Sequence, residues 1–124
     1  NINAEVIDIR TIRPLDKETI IASVKKTKRV IVVDNGWASF GVSAEIIAII
    51  AENLSSELIN NPIRIGVEDV PVPSTRELAK HAYPNTSKII NTVLNIFNVK
   101  SDKIDFEDPN IMYDVPDQSF MGPF

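Results

Sequence analysis

The chain has no cysteine, which excludes a disulfide framework and any site built on thiolates. It has one histidine, His81, so a metal held by several imidazoles is excluded as well. Only four glycines occur, and none sits in a GxGxxG or Gly-Lys-Ser/Thr pattern, so no phosphate-cradling loop is present. No apolar run approaches the roughly 18 residues that a membrane span needs. The first residues, Asn1-Ile-Asn-Ala-Glu5, lack the basic segment and apolar core of a secretion signal. They also lack an initiator methionine, and we expect the interior of a longer polypeptide.

What is present fits one soluble globular unit: 124 residues, of which 44% are hydrophobic and 24% charged. The charge is unevenly placed. Residues 1–99 hold 11 basic and 11 acidic side chains, whereas residues 100–124 hold Lys100 and Lys103 against six acidic residues. The net charge of -4 therefore lies wholly in the tail. A neutral body with an acidic tail argues against nucleic acid and against anionic membrane surfaces as partners. The one basic cluster, Lys25-Lys-Thr-Lys-Arg29, falls where a helix should end and complements its dipole there.

Residues 4–9 alternate and are β-branched, which predicts a strand. Arg13-Pro14 breaks it, and Asp16 predicts a helix N-cap followed by Ile20, Ile21 and Val24 on one face to about Thr27. Residues 29–34 form a continuous apolar run, expected to be a strand covered on both faces. Asn35-Gly36 reads as a turn. Val42, Ile46, Ile47, Ile49, Ile50 and Leu54 predict a helix to about residue 54. A loop closed by Pro62 precedes a third strand, residues 63–67. Val70-Pro-Val-Pro73 is extended, because proline lacks the donor a central strand needs. Ser74-Thr-Arg-Glu77 has the form of a capping box and predicts a short helix carrying Leu78 and Ala79. Pro84-Asn-Thr86 opens a last helix with Ile89, Ile90, Val93, Leu94 and Phe97 on one face. The alternation of strand and helix predicts an α/β fold with a parallel sheet. The tail differs in kind. It has three prolines, little periodicity, and four of the chain's eight aromatic residues, Phe106, Tyr113, Phe120 and Phe124. We expect an extended arm that packs its rings on a surface of its own domain or of a neighbour.

Candidate chemistry is sparse. Asp34-Asn-Gly-Trp37 lies between a strand and a helix, where α/β folds place functional loops. The lone Trp37 can line a cleft, anchor an interface or cover the sheet end. His81 has no carboxylate or serine partner in sequence, and a surface or capping role is expected. Glu68 and Asp69 are adjacent, so on a strand they point to opposite faces, and a structural role is expected. No catalytic constellation emerges.

A family resemblance carries further. The stretch Glu5-Val-Ile-Asp-Ile-Arg-Thr-Ile-Arg-Pro-Leu-Asp16, then Ser23-Val-Lys-Lys-Thr27, then Gly36-Trp37 with Phe40-Gly-Val-Ser-Ala-Glu-Ile46, then Glu68-Asp-Val-Pro-Val-Pro73, resembles one enzyme domain. It is the C-terminal domain of the beta subunit of thiamine-dependent 2-oxoacid dehydrogenases, closest to the pyruvate enzymes, over about residues 4–99. The Gly-Trp loop leans toward pyruvate and leaves branched-chain substrates open. The resemblance implies a three-layer α/β/α fold of the transketolase C-terminal type with a mostly parallel sheet. It implies that thiamine diphosphate and magnesium are held by the alpha subunit and by the beta subunit's N-terminal domain, with no cofactor, metal or catalytic residue on this chain. The implied role is assembly with the alpha subunit, a second beta subunit and the dihydrolipoyl acyltransferase core, in an enzyme that decarboxylates a 2-oxoacid and acylates a lipoyl group. The chain alone is expected to be inactive.

Two departures follow. Family domains place further strands before the segment equivalent to residues 4–9, one of them between it and residues 30–34. We therefore expect a fragment, residues 1–99 being an N-terminally truncated domain, that rearranges its sheet or borrows a strand. Pyruvate-type beta subunits stop near Val99 and use the terminal carboxylate, helped in some by an aspartate, to bind the acyltransferase. Here 25 residues follow, and the aspartate's position is Asn60. The ending, Asp114 to Phe124, resembles tails of bacterial homologues and implies a bacterial cytoplasmic source. Interface candidates are Trp37, Phe40, Asn60, Phe120 and Phe124. The alternatives are a domain of another thiamine-dependent, transketolase-like enzyme, or a stand-alone binding module.

Overall fold

Regular structure begins at Asp16. The computed structural model describes residues 2–105, apart from the side chains of Arg76, Glu77 and Lys80. The element order is α1 (Lys17–Thr27), β1 (Ile31–Trp37), α2 (Val42–Leu54), β2 (Ile63–Val67), α3 (Arg76–Ala82) and α4 (Thr86–Ile96). Asp16 starts α1 because its carboxylate accepts from the Thr19 amide at 3.0 Å and the Thr19 hydroxyl at 2.7 Å. The same two bonds hold its carboxyl below the ordinary aspartate pKa. Lys28 ends the helix in the left-handed conformation (φ 57°), its amide donating to the Val24 carbonyl at 2.7 Å. Lys25 and Lys26 occupy the last turn, as the dipole favours.

β1 and β2 pair in parallel, with α2 as the crossover between them. Ile31, Val32 and Val33 align with Ile63, Arg64 and Ile65, and Trp37 aligns with Val67. Between these points Asp34, Asn35 and Gly36 face the single residue Gly66, so β1 bulges. Asn35-Gly36, expected as a turn, is thus an irregularity inside a longer strand. Gly66 is required there: a Cβ would meet the Gly36 carbonyl oxygen at 3.0 Å and the Ala38 amide nitrogen at 3.1 Å.

The core joins one face of α1 and α2 to β1. Ile20, Val24, Val32, Ile46, Ile50 and Leu54 are buried together, with Ile9, Leu15, Ile21, Val30, Val42, Ile47 and Leu58 half-buried around them. Each full burial contributes about 1.5–3 kcal/mol before the entropy of ordering is set against it.

Three expectations need correction. Residues 4–9 form no strand. No strand of the described chain lies beside them to supply ladder hydrogen bonds, and alternation cannot make a strand without them. Ile9 reaches the core, Lys26 bonds Glu5 at 2.9 Å, and Val6 stands 88% exposed. β1 is covered on one face: Val32 is buried and Val33 is 46% exposed. The capping box does not form. α3 starts one residue late, with Thr75 at the N-cap and no side-chain cap bond.

α4 follows its sequence more closely. Asn85 caps it by accepting from the Lys88 amide at 2.8 Å. It ends in a Schellman motif: Asn98 is left-handed (φ 52°), its amide donates to Asn95, and the Val99 amide donates to Leu94. Only Ile96 of its apolar face is fully buried. The fold is thus a transketolase C-terminal-like α/β arrangement with a short parallel sheet of two strands among the described residues.

Candidate functional site

The bulge shapes the loop that follows it. Asp34 Oδ1 accepts from the Gly36 amide at 2.8 Å, and Oδ2 accepts from the Ser43 amide at 3.2 Å. One carboxylate therefore fixes the strand end and caps α2, whose N-cap residue, Gly41, has no side chain to do so. Gly41 also lies tight against the loop: a Cβ there would come within 2.3 Å of the Trp37 carbonyl oxygen. The loop is further tied to β2 and the residues beyond it. The Ala38 amide donates to Val67 at 2.8 Å, Arg64 Nη1 donates to the Ala38 carbonyl at 2.6 Å, and Ser39 Oγ donates to Asp69 Oδ2 at 2.5 Å.

This rigid frame presents apolar side chains to solvent. Trp37 is 46% exposed and Phe40 fully exposed. Phe40 also holds φ at 59°, a region that costs a bulky residue about 1–2 kcal/mol. Val70 and Val72, on the extended segment after Asp69, are 47% and 42% exposed. Four large apolar side chains on two cross-linked loops make a contiguous rim at the C-terminal end of the sheet. Single exposed hydrophobics are ordinary; a grouped and strained set marks a contact surface.

Asn60 lies at the other end of the strands, three residues before β2. Its Oδ1 accepts from Arg29 Nε at 3.1 Å, and the Arg29 guanidinium stacks 4.8 Å from the centre of the Phe97 ring. Seven residues of β1 separate the two ends, roughly 20 Å, so the candidates do not form one site. Phe120 and Phe124 lie outside the described residues. His81 is exposed in the last turn of α3. Glu68 faces Lys88 at 3.7 Å and Asp69 faces Ser39, so the adjacent carboxylates serve separate contacts. The Arg29–Phe97 stack, the Ser39–Asp69 bond and the close approach at Gly41 had no short-range signature to find them by.

Residues 1–89 match the transketolase, C-terminal domain, family. The chain belongs to that family. Among curated relatives of this transketolase C-terminal domain, the pyruvate dehydrogenase E1 component subunit beta of Rickettsia bellii is 44% identical over 101 residues, covering 81% of this chain and 31% of its own length. The mitochondrial subunit of Saccharomyces cerevisiae is 42% identical over 100 residues, covering 80% and 27%. That of Homo sapiens is 40% identical over 99 residues, covering 79% and 28%. The chain spans under a third of the relatives it matches.

Enzymes of this kind imply thiamine diphosphate and magnesium. Among the described residues no three His, Asp or Glu side chains gather to hold a metal. Asp34, Glu68 and Asp69 are each bound to partners of the fold, and the α2 N-terminus is taken by Asp34. These residues do not fit a diphosphate–magnesium site, so no chemical step is assigned to them. No helix among the described residues is long and apolar enough to cross a membrane.

Proposed function

We propose that the chain is the assembly domain of a pyruvate-type 2-oxoacid dehydrogenase beta subunit. Residues 1–99 form the domain and residues 100–124 a C-terminal arm. The whole enzyme decarboxylates the 2-oxoacid with thiamine diphosphate and magnesium bound elsewhere, and passes the acyl group to a lipoyl carrier. This domain supplies shape and contact area to the alpha subunit, a second beta subunit and the acyltransferase core. A bacterial cytoplasm is the proposed setting; the relatives include bacterial and mitochondrial proteins.

The observation that carries this reading is Phe40. A phenylalanine that is fully exposed and held at positive φ loses twice in an isolated chain. A docked partner repays both losses. Trp37 beside it is the residue type that dominates interface energetics. Asn60 marks a second contact at the opposite edge, with Phe120 and Phe124 as arm anchors. The test is Phe40→Ser in the complete beta subunit, co-expressed with its alpha subunit and measured by sedimentation. Affinity should fall by roughly tenfold or more. Unchanged assembly removes the rim from the interface. Turnover of a 2-oxoacid by these 124 residues alone would overturn the reading altogether.

A further inference from the structure

The arm's first residues are already placed. Asn91, on α4, donates from Nδ2 to the Ile104 carbonyl at 2.8 Å and accepts on Oδ1 from the Ile104 amide at 3.1 Å. After the reversal at Asn98 the chain therefore runs back along α4, toward the helix's N-terminal turn. One turn in that direction, about 5 Å, stands Lys88, paired with Glu68 at 3.7 Å. Asp69 follows and is bound to Ser39, between Trp37 and Phe40. The arm thus leaves Asp105 aimed at the apolar rim.

We propose that residues 106–124 of the same chain seat on this rim and cover Trp37, Phe40, Val70 and Val72. Length allows it: 19 residues reach roughly 60 Å when extended, several times what the path requires. Composition fits it too. The segment carries Phe106, Tyr113, Phe120 and Phe124 to meet the rim, and its four acidic residues, Glu107, Asp108, Asp114 and Asp117, can stay in water. Rings rather than charges carry the seat, because Arg64 and Lys88 at the rim are already engaged by Ala38 and Glu68. The seated arm is a cover that a docking subunit displaces. The inference stands apart from the subunit reading, and each can fail without the other.

Trp37 is the only tryptophan of the chain, so its fluorescence reports the rim directly. Acrylamide quenching of the 124-residue chain is compared with that of Phe120→Ser/Phe124→Ser and of a chain ending at Asp105. Circular dichroism shows that each variant is folded. Quenching should rise about twofold in both variants, as a covered indole opens to the half-exposure of the bare rim, and the protection in the parent should persist on dilution. Equal quenching in all three chains overturns the proposal. So does protection that vanishes on dilution, which would place the arm on a second copy.

Discussion

Residues 2–12 and the α1–α2–β1 core are both rich in isoleucine and valine, yet they end in opposite environments. In the core, Ile50 is 0% exposed and Leu54 3%. In the N-terminal segment, Ile12 is 63% exposed and Val6 more so. The difference lies in neighbours. Ile50 has α1 and β1 to pack on, whereas Val6 extends from a backbone with no strand beside it. Apolar content decides what a segment can bury; topology decides whether it does.

The sharpest way to break that contrast is to shorten one side chain on each side of it. Ile50→Ala should cost about 2–5 kcal/mol in chemical unfolding, since it leaves a cavity in a closed core. Val6→Ala should fall within about 0.5 kcal/mol of the parent. Equal costs would mean that the N-terminal segment is packed in solution. Next in size is Asp34→Ala, which leaves the Ser43 and Gly36 amides without their acceptor. A loss of about 1–2 kcal/mol is expected, with amide exchange quickening in the first turn of α2. Phe97→Ala removes the ring under Arg29 and should cost about 0.5–1 kcal/mol beyond its lost area, separable in a double-mutant cycle with Arg29→Met.

The smallest effect concerns pH. Lys26, by hydrogen bond and charge, holds the Glu5 carboxyl below its ordinary pKa. A depressed folded-state pKa stabilises the fold at pH above the unfolded value and loses that contribution as pH falls through the folded one. Glu5→Gln should therefore flatten the acid limb of a stability–pH curve and leave neutral stability almost unchanged. Added salt should shrink the parent's advantage, because the pair is exposed.

Much of this fold is legible along the chain because its signals are local. Asp16 caps α1, Asn85 caps α4, and the apolar spacing from Val42 to Leu54 marks α2. What was not legible depends on distant partners. Residues 4–9 alternate like a strand, but pairing is a property of two segments. The continuous run before Asp34 suggests two covered faces, and Val33 shows one. At the rim, Trp37 stood out as a lone tryptophan on a strand-to-helix loop. Phe40's left-handed backbone did not, because it arises from the Asp34, Arg64 and Asp69 contacts that lock the loop.

Asn91 holds Ile104 through its main chain alone, donating and accepting as a flanking β-strand would. Such a grip is blind to the side chain it holds. Position 104 can change its identity without loosening the attachment, and whatever sequence lies downstream departs from the body at the same point and heading. The helix thus works as a fixed mooring, free to be re-rigged with a different line.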